Sequence, residues 1–207
     1  MKTFAIGHFG LGYLLAFVTS KITNTQINLP LVLTVSVLPD LDILFSDFVV
    51  HRGLTHSFFF SLIVFLPFFI IYHKRAIPYF FVLLSHSMIG DIYGPYNGVQ
   101  LFWPFSTDWV TLVNISNRSL LSISLELGLF IFSIFVMFLN KDFQKYFFDS
   151  SKLIYWFVPL GSVLVPLLLI GKDIHFNVPF LLVFPSLIYI VLFLLPFSKF
   201  IYRFITG

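Results

Sequence analysis

Seven long apolar runs leave this chain few ways to fold. They cover residues 4–20, 28–45, 57–72, 77–92, 119–139, 153–170 and 178–197. Each holds 16–21 residues, close to the ~20 that a helix needs to cross a bilayer core. Lipid offers backbone groups no hydrogen-bond partner, and the runs lack period-2 alternation, so they are read as helices. With 58% hydrophobic and 10% charged residues, the chain cannot cover a water-facing surface, because soluble domains run nearer ~25% charged. The expected fold is all-α, a polytopic transmembrane helical bundle of about seven helices. It forms one membrane-embedded domain over residues 1–207, with a metal-capable half at 1–118 and further transmembrane helices at 119–207. The first run is long for a signal-peptide core and no small-residue cleavage pattern follows it.

Several kinds of chemistry are absent. There are no cysteines, hence no disulfides, thiolate metal sites or thiol nucleophiles. Glu126 is the only glutamate, so the H-E-x-x-H protease motif is missing, as are a Walker loop and a G-x-S-x-G elbow. The net charge of +3 contains no basic run of the kind that binds nucleic acid. In a membrane protein it reports loop charges.

Threading the first four runs back and forth brings polar side chains to one membrane face. His8 starts the first run, Asp40 and Asp42 end the second, His51, Arg52 and His56 precede the third, and His86 and Asp91 end the fourth. The opposite ends carry Lys21, Lys74, Arg75, Lys141, Lys199 and Arg203, which the positive-inside rule assigns to the cytoplasm. The expected location is therefore the cell membrane, multi-pass, with the cluster on the extracytoplasmic face. Asn114 and Asn117 each begin an N-x-Ser tripeptide in the long 93–118 connection on that same side. Trp103 and Trp109 suit this connection to headgroup depth.

Each polar group also has a bland explanation. Asp40 and Asp42 follow Pro39 and could be solvated carboxylates of an interfacial turn, or, in extended backbone, could reach one cation together. His51 and His56 are five apart, too far around a regular helix to chelate one ion unless Gly53 breaks it. Thr55 reads as the N-cap of the third helix. His86 lies inside an apolar run, where an ionisable residue is a functional candidate by default. Asp91 stands five beyond it, so the helix either ends at Gly90 or carries a π-bulge that realigns the two. His8 sits between Gly7 and Gly10, glycines that also serve plain close helix packing. His175, beside Lys172 and Asp173, reads as a solvated loop histidine. Imidazole with carboxylate and no thiolate suits zinc first, with manganese or iron as alternatives. Six candidate ligands, His8, Asp40, Asp42, His56, His86 and Asp91, leave room for one ion or two. His51 suits proton transfer, and Arg52 suits a bidentate grip on a phosphate or carboxylate.

The ordered set Gly7-His8, Leu38-Pro39-Asp40-Leu41-Asp42, His51-Arg52-Gly53-Leu54-Thr55-His56-Ser57, Ser85-His86, Asp91 and Gly98-Val99-Gln100-Leu101-Phe102-Trp103-Pro104 resembles the YdjM-like family. Its members are bacterial and archaeal membrane-bound proteins, some under LexA control, to which a metal-dependent hydrolase activity is assigned by inference. The resemblance spans residues 7–104 and implies a hydrolase class without a substrate. In the family pattern three residues separate the fourth-helix histidine from its aspartate; here four separate His86 from Asp91.

The leading expectation is a membrane-bound metal-dependent hydrolase acting at the membrane–water boundary. Its substrate would be a lipid-like phosphoester or ester, and its surroundings the lipid bilayer. A divalent-cation transporter is the first alternative, but its polar residues should reach mid-depth and open to both sides. The second is a non-catalytic membrane protein whose metal cluster staples helices together.

Overall fold

The structure, a computed structural model, describes residues 4–45, 48–93, 98–116, 118–142, 154–168 and 178–206. Asn117, Lys172, Asp173 and His175 lie outside these residues. The α-helices are α1 (Ala5–Thr23), α2 (Leu29–Ser36), α3 (Phe58–Tyr72), α4 (Ile77–Ser85), α5 (Leu120–Leu139), α6 (Ile154–Leu168) and α7 (Phe180–Thr206). No strand occurs among the described residues; Val99 and Val110 form an isolated antiparallel bridge. The fold is an all-helical membrane bundle. The stretches Ala5–Thr23, Phe58–Asp91 and Leu120–Leu139 are long and apolar enough to cross a membrane.

The second apolar run does not continue as one helix. Asn28 caps α2 by accepting the Leu31 N–H at 3.1 Å, a contact worth ~1 kcal/mol. The helix stops before Pro39, which lacks an N–H and pushes Leu38 out of helical geometry. The chain then tightens into a 3-10 turn over Pro39–Phe45, and this turn carries both aspartates. The third helix is capped by Ser57, which accepts the Phe60 N–H at 3.0 Å; Thr55, expected at the cap, lies in a short 3-10 turn at Leu54–His56. The Phe58–Asp91 stretch is a hairpin. It reverses at His73–Ala76, and the Phe65 and Phe80 rings stack at 4.3 Å between α3 and the returning α4.

Helix α1 is the axis of the bundle, packed against α2, α4 and α5. Ile6, Phe9, Tyr13 and Ala16 are buried along it, with Val32 and Leu33 of α2, Val82 of α4, Phe130 and Met137 of α5, and Tyr189 and Phe193 of α7. Gly10 makes this approach possible: a Cβ there would lie 2.8 Å from the Leu129 carbonyl oxygen of α5, so a larger residue would push the helices apart. By contrast only Ser61 of α3 is buried, and Ile63, Leu66, Phe68 and Ile70 are exposed on its outer face. That face is solvated by lipid in the membrane.

Glu126 ties α5 to the start of α1. Its carboxylate is buried and accepts the backbone N–H groups of Phe4 at 2.7 Å and Gly7 at 3.0 Å. It thereby supplies the N-terminal cap that Phe4 cannot provide for itself, and it fixes the turn that carries His8. Unfolding of Glu126→Ala protein in detergent is expected to show a loss of about 1–3 kcal/mol, the cost of leaving buried donors unpaired.

Candidate metal centre

Four separate backbone devices deliver the polar cluster. The 3-10 turn after α2 presents Asp40 and Asp42, the loop before α3 presents His51, Arg52 and His56, and the first turns of α1 present His8. The last device is a π-helical turn over His86–Asp91 that continues α4. An i→i+5 turn brings residues five apart onto one side, so the extra residue between His86 and Asp91 is absorbed and their Nε2 and Oδ2 atoms lie 3.4 Å apart.

Four of these side chains bring one ligand atom each to within 4.8 Å of one another: Asp40, His56, His86 and Asp91. His56 Nε2 lies 3.2 Å from His86 Nε2, 3.5 Å from Asp40 Oδ1 and 3.2 Å from Asp91 Oδ2. His86 Nε2 lies 3.4 Å from Asp40 Oδ1. A tetrahedral cation with ligand bonds of ~2.0–2.1 Å would hold its donor atoms ~3.3–3.4 Å apart, and these separations match such a shell. The tautomer of His86 agrees. Its Nδ1 lies 2.7 Å from the Ser36 carbonyl oxygen, which can only accept, so Nδ1 carries the proton and Nε2 is the atom free to bind a metal.

Charge agrees as well. Asp42, His56, His86 and Asp91 are buried and Asp40 is largely covered. Three carboxylates stand against one guanidinium, that of Arg52, leaving two negative charges when the imidazoles are neutral. Two buried uncompensated charges are costly, and one divalent cation cancels them. The same excess acts on His56: burial disfavours its charged form, yet hydrogen bonds with Asp40, Asp42 and Asp91 hold its pKa well above the ordinary value. The residues present therefore fit a divalent cation.

The remaining candidates occupy distinct places around that shell. Asp42 joins a second group with His51 and His56, on the far nitrogen of His56, whose Nδ1 is 3.4 Å from Asp42 Oδ2. Both Asp42 oxygens already take donors. Oδ1 faces His51 Nδ1 at 2.8 Å, and Oδ2 accepts the Arg52 N–H at 3.2 Å and the Thr55 hydroxyl at 2.7 Å. The two aspartates thus embrace opposite edges of His56, where extended backbone would have pointed both the same way. His8 stacks on the His86 ring at 3.8 Å with its Nε2 3.9 Å from Asp91 Oδ1. It stands beside the four-residue group, buried, with neither ring nitrogen hydrogen-bonded. A Cβ on Gly90 would fall 2.5 Å from His8 Cε1, so glycine there admits the histidine.

Arg52 is buried and turned inward, donating from Nη2 to Asp91 Oδ1 at 2.9 Å. This leaves Oδ2 facing the shell. Its backbone takes the left-handed conformation, φ +66, held by the Asp42 contact and by the Gln100 N–H, which donates to the Arg52 carbonyl at 2.9 Å. Gln100 belongs to the Gly98–Pro104 segment, which also receives the Phe58 N–H at the Leu101 carbonyl, 2.9 Å. That segment straps the histidine-bearing loop from outside. Thr55 and Glu126 carry site roles that sequence reading missed. A lone glutamate inside an apolar run was the available signal, whereas Thr55 read only as a helix cap and nothing local pointed to its bond with Asp42.

Fold and site together define a helical membrane protein with a histidine–carboxylate cluster able to hold a metal ion. The chain belongs to the YdjM inner membrane protein family, whose model matches residues 1–165. That match extends beyond the motif-bearing half through α5 and into α6. No curated protein and no solved structure matches the chain.

Proposed function

We propose that this protein is a membrane-bound, metal-dependent hydrolase acting on a lipid-like phosphoester or ester at the membrane–water boundary. The observation that carries the reading is the convergence of Asp40 Oδ1 and Asp91 Oδ2 on His56 Nε2 and His86 Nε2, with the two nitrogens 3.2 Å apart and each 3.2–3.5 Å from both carboxylate oxygens. A single divalent ion, zinc by donor set and spacing, would be held by Asp40, His56, His86 and Asp91, and supplies Lewis acidity toward a phosphoryl or carbonyl oxygen when bound. His51 is the proton carrier. Its Nδ1 is anchored on Asp42, and its Nε2 makes no hydrogen bond within the protein. That Nε2 is itself buried, while 24% of the side chain as a whole is exposed, more than for the other histidines of the cluster. Asp42 orients both His51 and His56, and Arg52 orients Asp91. The concentration of these groups at one end of the helices favours an enzyme over a transporter, whose path needs polar groups through the whole depth.

Purified protein screened against phosphoester and acyl-ester lipids is expected to hydrolyse one class and to lose that activity with chelator. His51→Ala is expected to lower kcat by about 10²–10⁴-fold with metal content unchanged. Full activity in His51→Ala would remove it from the mechanism, and chelator-insensitive turnover would end the reading as a whole.

The cluster is assigned to the extracytoplasmic face, from the lysine and arginine residues at the opposite helix ends. The chain has no cysteine, so a single Asp108→Cys reports orientation. A membrane-impermeant thiol reagent is expected to label it in intact cells; labelling only after lysis reverses the assignment.

A further inference from the structure

Away from the metal cluster, α2, α3 and α4 enclose a cavity of about 650 Å³ that no step of the proposed hydrolysis uses. That volume falls in the ~300–1,000 Å³ range of ligand sites. Its walls are apolar over most of their depth, including Leu31 and Val35 of α2, Phe65 and Phe68 of α3, and Leu83 of α4. Along α4 the cavity runs from Ala76 to Leu83, a rise of about 11 Å, which is most of one leaflet of a ~30 Å core. Polar wall residues concentrate at one end, where Gln26 and Asn28 enter α2 and Tyr72 and Arg75 stand at the α3–α4 reversal. Arg75 is exposed and makes no ion pair among the described residues.

We propose that this cavity binds an anionic membrane phospholipid, with its phosphate at Arg75 and one acyl chain lying between α2, α3 and α4. A slot within the apolar depth of the bundle, beside an outward face of α3 bathed in lipid, is filled by what surrounds it. The single cationic side chain at its mouth selects headgroups that carry net negative charge. The chain then points from the Arg75 end toward the bilayer middle, the direction a lipid of that leaflet already has. The polar end lies opposite the metal cluster, which begins two residues beyond Leu38 at the other extreme of the cavity. The occupant is therefore a resident lipid and not the substrate, and the proposal stands whether or not the protein is a hydrolase.

The test is native mass spectrometry of detergent-purified protein mixed with equal phosphatidylglycerol and phosphatidylcholine. Wild-type protein is expected to retain phosphatidylglycerol about five-fold over phosphatidylcholine. Arg75→Gln, a surface change that disturbs no packing, is expected to bring that ratio near one. Leu31→Trp, which fills the cavity, is expected to reduce retention of both lipids several-fold while the protein elutes as folded material of unchanged size. Equal retention of the two lipids by wild-type protein, an unchanged ratio in Arg75→Gln, or unchanged retention by folded Leu31→Trp protein would overturn the proposal. So would loss of lipid in Asp40→Asn with Arg75→Gln silent, because the headgroup would then sit at the metal end.

Discussion

Asp91→Asn and His86→Ala proteins, dialysed and analysed for metal beside the wild type, are expected to bind the ion more than about 100-fold more weakly. The expectation follows from what each atom does. Asp91 Oδ2 and His86 Nε2 are 3.4 Å apart and each is 3.2 Å from His56 Nε2, so removing either deletes one corner of a four-cornered shell. Groups that merely orient ligands already cost ~10–100-fold when removed, and loss of a ligand exceeds that. Asp42→Asn supplies the internal comparison. Its oxygens are occupied by Thr55, the Arg52 N–H and His51, so it is expected to fall in the ~10–100-fold range of orienting groups. His8→Ala tests the remaining histidine, which sits 3.9 Å from Asp91. Equal metal content in wild type, Asp91→Asn and His86→Ala would refute the centre as drawn here.

Arg52→Ala is expected to be the most destabilising single change at the site. The guanidinium is buried against the buried Asp91 carboxylate at 2.9 Å, and breaking such a pair from one side costs about 3–5 kcal/mol because a charge is left without compensation. The effect has two signatures. The left-handed backbone at φ +66 is strained for any residue with a Cβ, so Arg52→Gly should be less destabilising than Arg52→Ala by about 1 kcal/mol. Saturating the protein with metal should reduce the loss in both variants, since the ion then compensates Asp91 from its other oxygen. Unfolding in detergent, with and without chelator, measures both. A loss below 1 kcal/mol in chelated Arg52→Ala protein would contradict the buried ion pair.

The grip of Arg52 on Asp91 illustrates what the residues alone leave open. An arginine beside two histidines near a membrane face suggests an anion site, and the chemistry of guanidinium permits it. Whether the anion is a substrate or a residue of the same chain depends on the distance to a carboxylate 39 positions away. The pair Asp40 and Asp42 is a similar case. Their spacing suggests joint action on one ion, but Pro39 sets a 3-10 turn in which Asp40 meets the Nε2 edge of His56 and Asp42 the Nδ1 edge. The π-turn at His86–Asp91 was visible as one of two ways to reconcile a five-residue spacing. Choosing between them required the position of His56, contributed by another segment.

From its amino acids alone, this chain had to be a helical membrane bundle carrying histidine and aspartate on the ends of its first four apolar runs. Run length, composition and order are local quantities, and the bilayer converts them directly into helices and depth. Tertiary structure alone decided which nitrogens of His56 and His86 face each other, which carboxylates join them and which lies at the far edge of His56, and where Arg52 spends its charge. Those choices are hydrogen-bond directions between residues 30 to 50 positions apart, and no local pattern of residues encodes a direction across that separation.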